Sequence, residues 1–395
     1  MSLSLYLGPY QPFLEEELLK AFQAYRKKNP FEKVTVLVPN FLLVGHLRKT
    51  LIEKGQNLFN LEIHTLRHYM EAVAEETFIM EDFQNLPDVL VPLVLKEATK
   101  SLLAKSRSFG SVSQTPGFYH ALRATLSELK EGLYTPESLA AHAARLAKAK
   151  ETRLALKLKE FAGLLKAYED WKKKGRWLDR EDTYFKVLAK PPRSEGVIWV
   201  YGFYDASAVQ KKVLCHLSAA GESGWFIPYE DSPAFEYAKP FVDWAKSFGR
   251  VEKQDCWKAP GESPRQRLQD RLFQDEAASL APPPADVSSD CQIILCPGES
   301  REAQEIVRVL LQEADRQNVF LSDCAVVLRE TASYRKLMPH AFGSQGVPLS
   351  KTLPAPLIES TEAKTLLLLL DGFTGDFSRD TTINLLSCPS LNPAG

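Results

Sequence analysis

Gly8 closes an apolar run, SLSLYLG, and opens PYQPFLEEELL, so it stands where a strand hands over to a helix. A turn at such a place can cradle phosphate if it reads G-x-x-x-x-G-K-[ST]. Its glycines let backbone N–H groups approach the anion, its lysine balances the charge, and its hydroxyl holds Mg²⁺. Here only Gly8 answers that pattern: Tyr10 and Gln11 fill the loop, while Pro9 and Pro12 carry no N–H. Glu15, Glu16 and Glu17 follow and would repel a triphosphate. The stretch therefore reads as an ordinary strand-to-helix turn or as a nucleotide site stripped of its chemistry. Asp179, Glu181 and Asp182 could group around a metal ion, but a helix-capping segment with solvated charges is the commoner use of such a pattern. His64 and His68 stand four apart without a convincing third ligand nearby, so no metal site is expected. Trp171, Trp177, Trp199, Trp225, Trp244 and Trp257 could stack on bases, yet most sit in apolar patterns and read as core.

The elements that would position these residues alternate in type. SLSLYLG, KVTVLVPN and LEIHTL read as strands, with helices over Phe13 to Lys28 and Phe41 to Lys54 between them. That alternation predicts an α/β fold, a parallel sheet with helices on both faces. From Arg67 to Lys174 the period changes to a helical one, with Leu154, Leu158, Phe161, Leu165 and Tyr168 as an apolar stripe. This predicts an all-helical insertion over 67–174. Its basic run (Lys148, Lys150, Arg153, Lys157, Lys159) reads first as a solvated face. Strand signals return at GVIWVYGF and GWFIPY, with helices over Ala208 to Ala219 and Ala234 to Phe248. The sheet domain thus spans 1–66 and 175–280. SLAPPPADVSSD supplies a linker at 281–290. A second α/β block, 291–395, is expected to use CQIILC and DCAVVLR as strands and SREAQEIVRVLLQEADRQ and SYRKLMPHAFGSQG as helices. With no strand after its last helix, this block reads as truncated.

Composition sets the outer limits. With 395 residues, 45% of them hydrophobic, the chain can bury more than one core. Its 49 Lys and Arg against 50 Asp and Glu give a net charge of −1, so a nucleic-acid surface must be a local patch. No signal-peptide pattern opens the chain and no apolar run suits a membrane span, which predicts a cytoplasmic protein without a membrane partner. Cys215, Cys256, Cys291, Cys296, Cys324 and Cys388 form no C-x-x-C pair and are expected to be reduced, mostly buried thiols.

The run VIWVYGFYDASAVQ resembles the Walker B segment of UvrD-like superfamily 1 helicases, a hydrophobic strand followed by D-E-[FY]-Q-D and a later Gln. Phe203, Asp205 and Gln210 fall on matching positions, while the Mg²⁺-holding Asp and water-activating Glu correspond to Tyr201 and Gly202. Other pieces fit in the same order. VTVLVPN with Pro39 and Asn40, and IHTLRHY with Thr65, are similar to the helicase elements that touch single-stranded DNA. WLDREDTY resembles the D-[FY]-x-D-L-L segment that ends the insertion, with Asp179 and Asp182 on the matching positions. CAVVLRETASY resembles the start of the second helicase domain, where Arg329 matches an arginine that reaches nucleotide phosphates. GVPLSKTLPAPLIESTEAKTLLLLL is similar to the stretch that follows.

G-F-x-D in place of D-E-x-Q-D, in this chain order, resembles AddB-like proteins, the partner subunits of AddA helicase-nucleases. The resemblance implies a RecA-like (P-loop NTPase-like) first domain with a degenerate ATP site (Gly8, Pro9, Tyr10, Gln11, Tyr201, Gly202, Asp205, Gln210, Arg329) and the start of a second such domain. It implies a non-catalytic part of a protein acting in double-strand-break repair and recombination, guiding or inspecting single-stranded DNA alongside an AddA-like subunit. Single-stranded or duplex-end DNA would meet Pro39, Asn40 and Thr65, with Arg48 and Arg67 on phosphates. The family's PD-(D/E)xK nuclease and iron–sulfur spacings do not occur here, so no cofactor is expected and any DNA exonuclease activity would lie beyond residue 395. A divergent nucleotide-binding or ATPase domain and a docking scaffold for an active helicase are the alternatives.

Overall fold

The computed structural model describes residues 3–115, 117–189, 196–219, 223–255, 292–329, 331–350 and 357–391. The expected linker at 281–290, and with it Cys256, Trp257 and Cys291, lies outside them. The chain divides into two compact units, Met1–Val287 and Ser288–Gly395.

In the first unit the strands are β1 (Leu3–Gly8), β2 (Val34–Val38), β3 (Leu61–Thr65), a two-residue pair β4 (Gln84–Asn85) and β5 (Trp177–Leu178), then β6 (Val197–Tyr201), β7 (Ser223–Pro228) and β8 (Arg250–Gln254). Six of them form one parallel sheet in the order β3-β2-β6-β7-β1-β8. β2, β6 and β7 are buried along their whole length, as expected for parallel strands covered on both faces.

The helices sort by the direction in which the chain moves across the sheet. From β1 to β2 to β3 it moves one way, through α1 (Glu15–Lys28) and α2 (Phe41–Glu53). From β3 onward it moves the other way, through α3 (Leu66–Met80) and the insertion to α8 (Asp182–Ala189), then α9 (Ala208–Ser218) and α10 (Lys239–Lys246). Right-handed crossovers place these two sets on opposite faces. The cores agree. Leu18, Phe22, Val44 and Leu47 pack with Val36, Trp199 and Phe226. Met70, Val187, Val213 and Val242 pack with Leu5, Val200 and Trp225 on the other side. Alternate residues of each strand supply each face, which is the period-two rule at work.

The insertion has its own core. α4 (Val91–Leu103), α5 (Phe118–Glu131), α6 (Pro136–Lys148) and α7 (Thr152–Gly175) surround Leu95, Leu122, Leu126, Leu139, Leu165 and Tyr168. α3, expected inside the insertion, packs on the sheet through Leu66, Met70 and Ala74. Leu154, expected in the apolar stripe of α7, is 51% exposed, and Ala155 takes the buried position instead. Strand β8 was not legible in the sequence, because RVEKQ is charged and mostly exposed at the sheet edge.

The second unit, taken by itself, packs the helices Glu299–Gln317 and Tyr334–Ser344 around Ala303, Val307, Met338, Ala341 and Phe342. The strands expected in CQIILC and DCAVVLR do not form among the described residues. Val326 and Leu328 still turn toward that core while Val327 stays 92% exposed. The period-two pattern is therefore present, but among the described residues neither segment has a neighbouring strand to accept its ladder hydrogen bonds. The described thiols Cys215, Cys296, Cys324 and Cys388 are free, but they are half-exposed where burial was expected.

A buried ionic cluster holds the insertion where it returns to the sheet. Lys130 of α5 donates to both oxygens of Asp179 (2.6 and 2.7 Å) and to Asp182 (2.8 Å). Lys172 of α7 donates to Asp179 (2.7 Å) and Asp182 (2.6 Å), and Glu169 stands 2.9 Å away. The Asp179 and Asp182 carboxylates also accept each other's backbone N–H, so the capping expectation was right and the solvated one was not. Carboxylates of Glu169, Asp179 and Asp182 lie within 4.8 Å of one another, but the place a metal would take is filled by two ammonium groups. Burial pushes the Asp179 carboxyl up; the two lysines outweigh it and hold it well below the usual carboxylate range. Replacing Lys172, 1% exposed, by Met leaves three clustered carboxylates, Asp179 buried and Asp182 and Glu169 part-buried, with one cation. The expected loss is about 3–5 kcal/mol, read from urea unfolding of the variant against wild type.

Candidate functional site

In a doubly wound sheet, ligands bind outside the carboxyl ends of the strands, where neighbouring connections leave toward opposite faces. β1 leads to α1 on one face, while its neighbour β7 leads to α10 on the other. The turn after β1 and the turns after β6 and β7 share this edge. It brings Gly8, Pro9, Tyr10 and Gln11 toward Tyr201 and Gly202.

The crevice is filled with side chains. After Gly8 the chain makes an irregular turn, Tyr10–Leu14, with Gln11 extended at φ −119° and ψ 138°. Tyr10 folds inward, and its hydroxyl donates to the Gly202 carbonyl at 3.1 Å. Its ring lies 6.0 Å from that of Tyr201. Burial, with Tyr204 and Tyr237 nearby, pushes the Tyr10 phenol up to about 12. Tyr201 is 0% exposed, and its hydroxyl has no hydrogen-bond partner among the described residues. Burial raises its pKa further still. Neither phenol can serve as a base near neutral pH.

Both glycines of this edge are explained by packing. A Cβ on Gly8 would lie 2.4 Å from the Phe13 ring, which packs against the turn. Gly202 has φ +81°, and a Cβ there would meet Leu43 at 2.8 Å and Tyr10 at 3.3 Å. Any side chain at position 202 would sit at a strained φ and require Leu43 to shift. At the mouth, Glu15 accepts from Gln11 (2.9 Å) and pairs with His46 (2.6 Å). Glu17 is buried against Lys20 (2.9 Å) and Lys253 (2.6 Å), which overcome the effect of burial and lower its pKa. An acidic first turn stabilises α1 and disfavours an anion at its N-terminus.

The remaining sequence candidates fall into three groups. Phe203 is buried in the core, Asp205 is exposed with its carboxylate accepting from the Ala206 N–H at 2.7 Å, and Gln210 forms a reciprocal cap with Ser207 at the start of α9. Pro39 and Asn40 lie at the end of β2 and Thr65 at the end of β3, adjacent strands in register at Val38 and Thr65. Asn40 caps α2 by accepting from Leu43 N–H at 3.1 Å, and Thr65 caps α3 by accepting from His68 N–H at 3.2 Å. Arg67 is paired with Glu71 at 2.7 Å, and Arg48 is exposed about two turns along α2. Arg329 is an exposed residue of the second unit. Of the tryptophans, Trp199 and Trp225 are buried and Trp171, Trp177 and Trp244 pack against cores, as expected.

Sequence reasoning passed over a row of exposed apolar groups on the same edge. Phe41 is 79% exposed and Leu42 73%, directly after β2. Tyr204 after β6 and Tyr237 after β7 are 43% and 60% exposed, with ring centroids 5.5 Å apart. The signal was available: each follows a buried strand at a turn where polar residues are usual.

A doubly wound parallel α/β domain with a helical insertion and a crevice at the carboxyl ends of its strands filled by side chains is thus the class of protein this structure defines. The chain matches the family model described as "ADDB, N-terminal" over residues 15–224, and it belongs to that family. Among curated proteins it is similar to one from Pelotomaculum thermopropionicum named as the B subunit of an ATP-dependent helicase/deoxyribonuclease, 23% identical over 315 residues, covering 74% of this chain and 27% of that protein. The like-named protein of Moorella thermoacetica is 25% identical over 293 residues (67% and 25%), and that of Desulforudis audaxviator 24% over 307 (71% and 26%). The chain spans about a quarter of the length of these relatives. No helix among the described residues is long and apolar enough to cross a membrane.

Three substitutions test the filled crevice by unfolding free energy. Gly202→Ala is expected to cost about 1–3 kcal/mol, because φ is positive and Leu43 is close. Tyr10→Phe loses the bond to the Gly202 carbonyl and should cost about 1 kcal/mol. Tyr201→Phe deletes an unpartnered hydroxyl and should be neutral or stabilising by up to about 1 kcal/mol.

Proposed function

We propose that this chain is a non-catalytic, helicase-like portion of an AddB-type subunit, carrying single-stranded DNA across the carboxyl edge of its sheet within a repair complex. In this reading 1–66 and 175–280 form a degenerate RecA-like domain, 67–174 its helical insertion, and 291–395 the beginning of a second such domain. The strand order supports it, since β6 with Tyr201 and β1 with Gly8 flank β7 and their turns converge on one crevice. The observation that carries the loss of catalysis is the Tyr10 hydroxyl seated on the Gly202 carbonyl, where a phosphate and a carboxylate would otherwise need to be.

The relatives are named as parts of a helicase/deoxyribonuclease. We extend that to this chain as a cytoplasmic partner of an AddA-like helicase-nuclease in double-strand-break repair, with hydrolysis carried by residues other than these. The DNA reading rests on the edge itself. Asn40 and Thr65 fix the helix starts there, Pro39 and Arg67 border them, and Phe41, Tyr204 and Tyr237 offer exposed rings on which bases can stack. Arg48 is free to meet a phosphate farther along α2.

Fluorescence anisotropy with a labelled single strand checks this. Tyr204→Ala with Tyr237→Ala should weaken binding by about 1–3 kcal/mol per lost stack, five- to roughly 150-fold for one base. Wild-type chain should show no ATP turnover with or without DNA; DNA-stimulated hydrolysis sinks the reading, as does unchanged affinity in the double variant.

A further inference from the structure

The far end of the helical insertion carries a charge pattern that the single-strand reading does not use. Residues 143–160 hold six cationic and two acidic side chains, a local charge of +4 on a chain whose net charge is −1. Arg145, Lys148 and Lys150 lie at the end of α6 and in the turn that follows, and Arg153, Lys157 and Lys159 on the first turns of α7; all are exposed. None of the six has a carboxylate partner among the described residues, whereas Lys20, Lys33, Arg67 and Arg308 elsewhere all do.

One of the two acids is already committed. Arg153, Lys157 and Glu160 stand at i, i+4 and i+7, on one stripe of α7. Glu160 turns its carboxylate onto the loop after α4, accepting from Ser106 Oγ (2.9 Å) and from the backbone N–H groups of Arg107 (2.9 Å) and Ser108 (3.1 Å). That bond commits the negative charge to loop capping and brings exposed Arg107, with Lys105 beside it, up to the end of the same stripe. From Arg153 to Glu160 the stripe is about 10 Å long. Only Glu151 is left as an exposed acid at the tip.

Side-chain chemistry selects the partner. Stretch 143–160 contains no aromatic residue, and the rings its cations touch, His142 beside Arg145 and Phe161 beside Lys157, are part-buried, so it offers little for unpaired bases to stack on. Leu154 is its one large exposed apolar side chain, too little for the apolar centre of a protein interface. Exposed cations without carboxylate partners or apolar anchors fit a regular array of phosphates, contacted without regard to sequence. We infer that the α6–α7 tip is a second nucleic-acid surface, one that grips the backbone of double-stranded DNA. It is separate from the aromatic edge of the sheet and goes beyond the single-strand role proposed there.

The test compares two variants of the chain on two ligands, a hairpin duplex and an oligothymidylate, across a salt series. Tip variant Arg145→Glu/Lys148→Glu/Arg153→Glu/Lys157→Glu should lose at least about tenfold in duplex affinity, and its slope of log K against log salt should flatten by about 3.6 if all four groups meet phosphates. Its oligothymidylate affinity should stay within about twofold of wild type, since base stacking there depends on the sheet edge. The Tyr204→Ala/Tyr237→Ala variant should show the opposite pattern. Should the glutamate variant fail to fold by circular dichroism, the same four positions as Gln must show the duplex-selective loss. Duplex affinity unchanged in the tip variant, or equal losses on both ligands, overturns the inference. So does polyglutamate competing for wild type as well as duplex does, which would mark the tip as a protein-docking surface. If only the aromatic-edge variant leaves single-strand binding untouched, the single-strand role fails and the duplex surface stands.

Discussion

A parallel sheet hands every strand-to-helix turn to the same edge, and this constraint governs the first unit. Six parallel strands place the ends of β1, β2, β3, β6 and β7 side by side, whatever those turns contain. In this chain the edge is built from packing groups. Tyr10 bridges from the turn after β1 to the backbone after β6, and Phe13 covers Gly8. A phosphate cradle needs the opposite: bare N–H groups, small residues and a nearby cation. The two designs compete for the same few ångströms. A crevice filled with rings in place of carboxylates avoids the cost of desolvating buried charge.

The same competition explains why individual matches to a helicase pattern mean different things. Asp205 and Gln210 keep residue types of the motif, yet their bonds are local and serve the start of α9. Asn40 and Thr65 are caps as well, but on exposed ends of adjacent strands, where a cap also sets the direction in which the next turn faces solvent. A residue type preserved at a helix start is thus weak evidence of binding. Exposed aromatic rings at the same turns are stronger, because leaving Phe41 and Tyr237 in water has no folding benefit.

Much of the fold was legible because parallel strands are written as apolar runs. VTVLV, VIWVY and GWFIP have no other stable use at that length, and the helices between them carry a matching stripe. What failed to show follows from the same physics. An edge strand such as RVEKQ is paired on one side only and stays exposed, so it carries no apolar run. Helical periodicity tells that α3 is a helix but not which core receives it. Lys130 and Lys172 could not be read as buried, since lysine is almost never buried unless paired and their shared partner Asp179 lies 49 and 7 residues from them in sequence. Of the candidate site, residue types alone showed that no phosphate-loop lysine follows Gly8 and that Tyr201 and Gly202 end the β6 run; that the rings of Tyr10 and Phe13 fill this crevice could be assigned only from geometry.

That buried cluster also ties the insertion to the rest of the unit mechanically. α7 is 24 residues long, about 36 Å, and Lys172 near its end is fixed between Asp179 and Asp182 at the start of α8. α8 in turn packs through Tyr184 and Val187 onto the core behind β6. One continuous helix therefore runs from an anchored ionic cluster at the sheet to a cationic tip at its other end. Burying two lysines among carboxylates gains little net stability compared with apolar packing. It does fix direction, because five charged hydrogen bonds from two helices meet on one pair of carboxylates and admit few alternative geometries. A rod held in this way keeps a fixed direction relative to the sheet, because its anchored end cannot turn without breaking charged bonds from two helices at once.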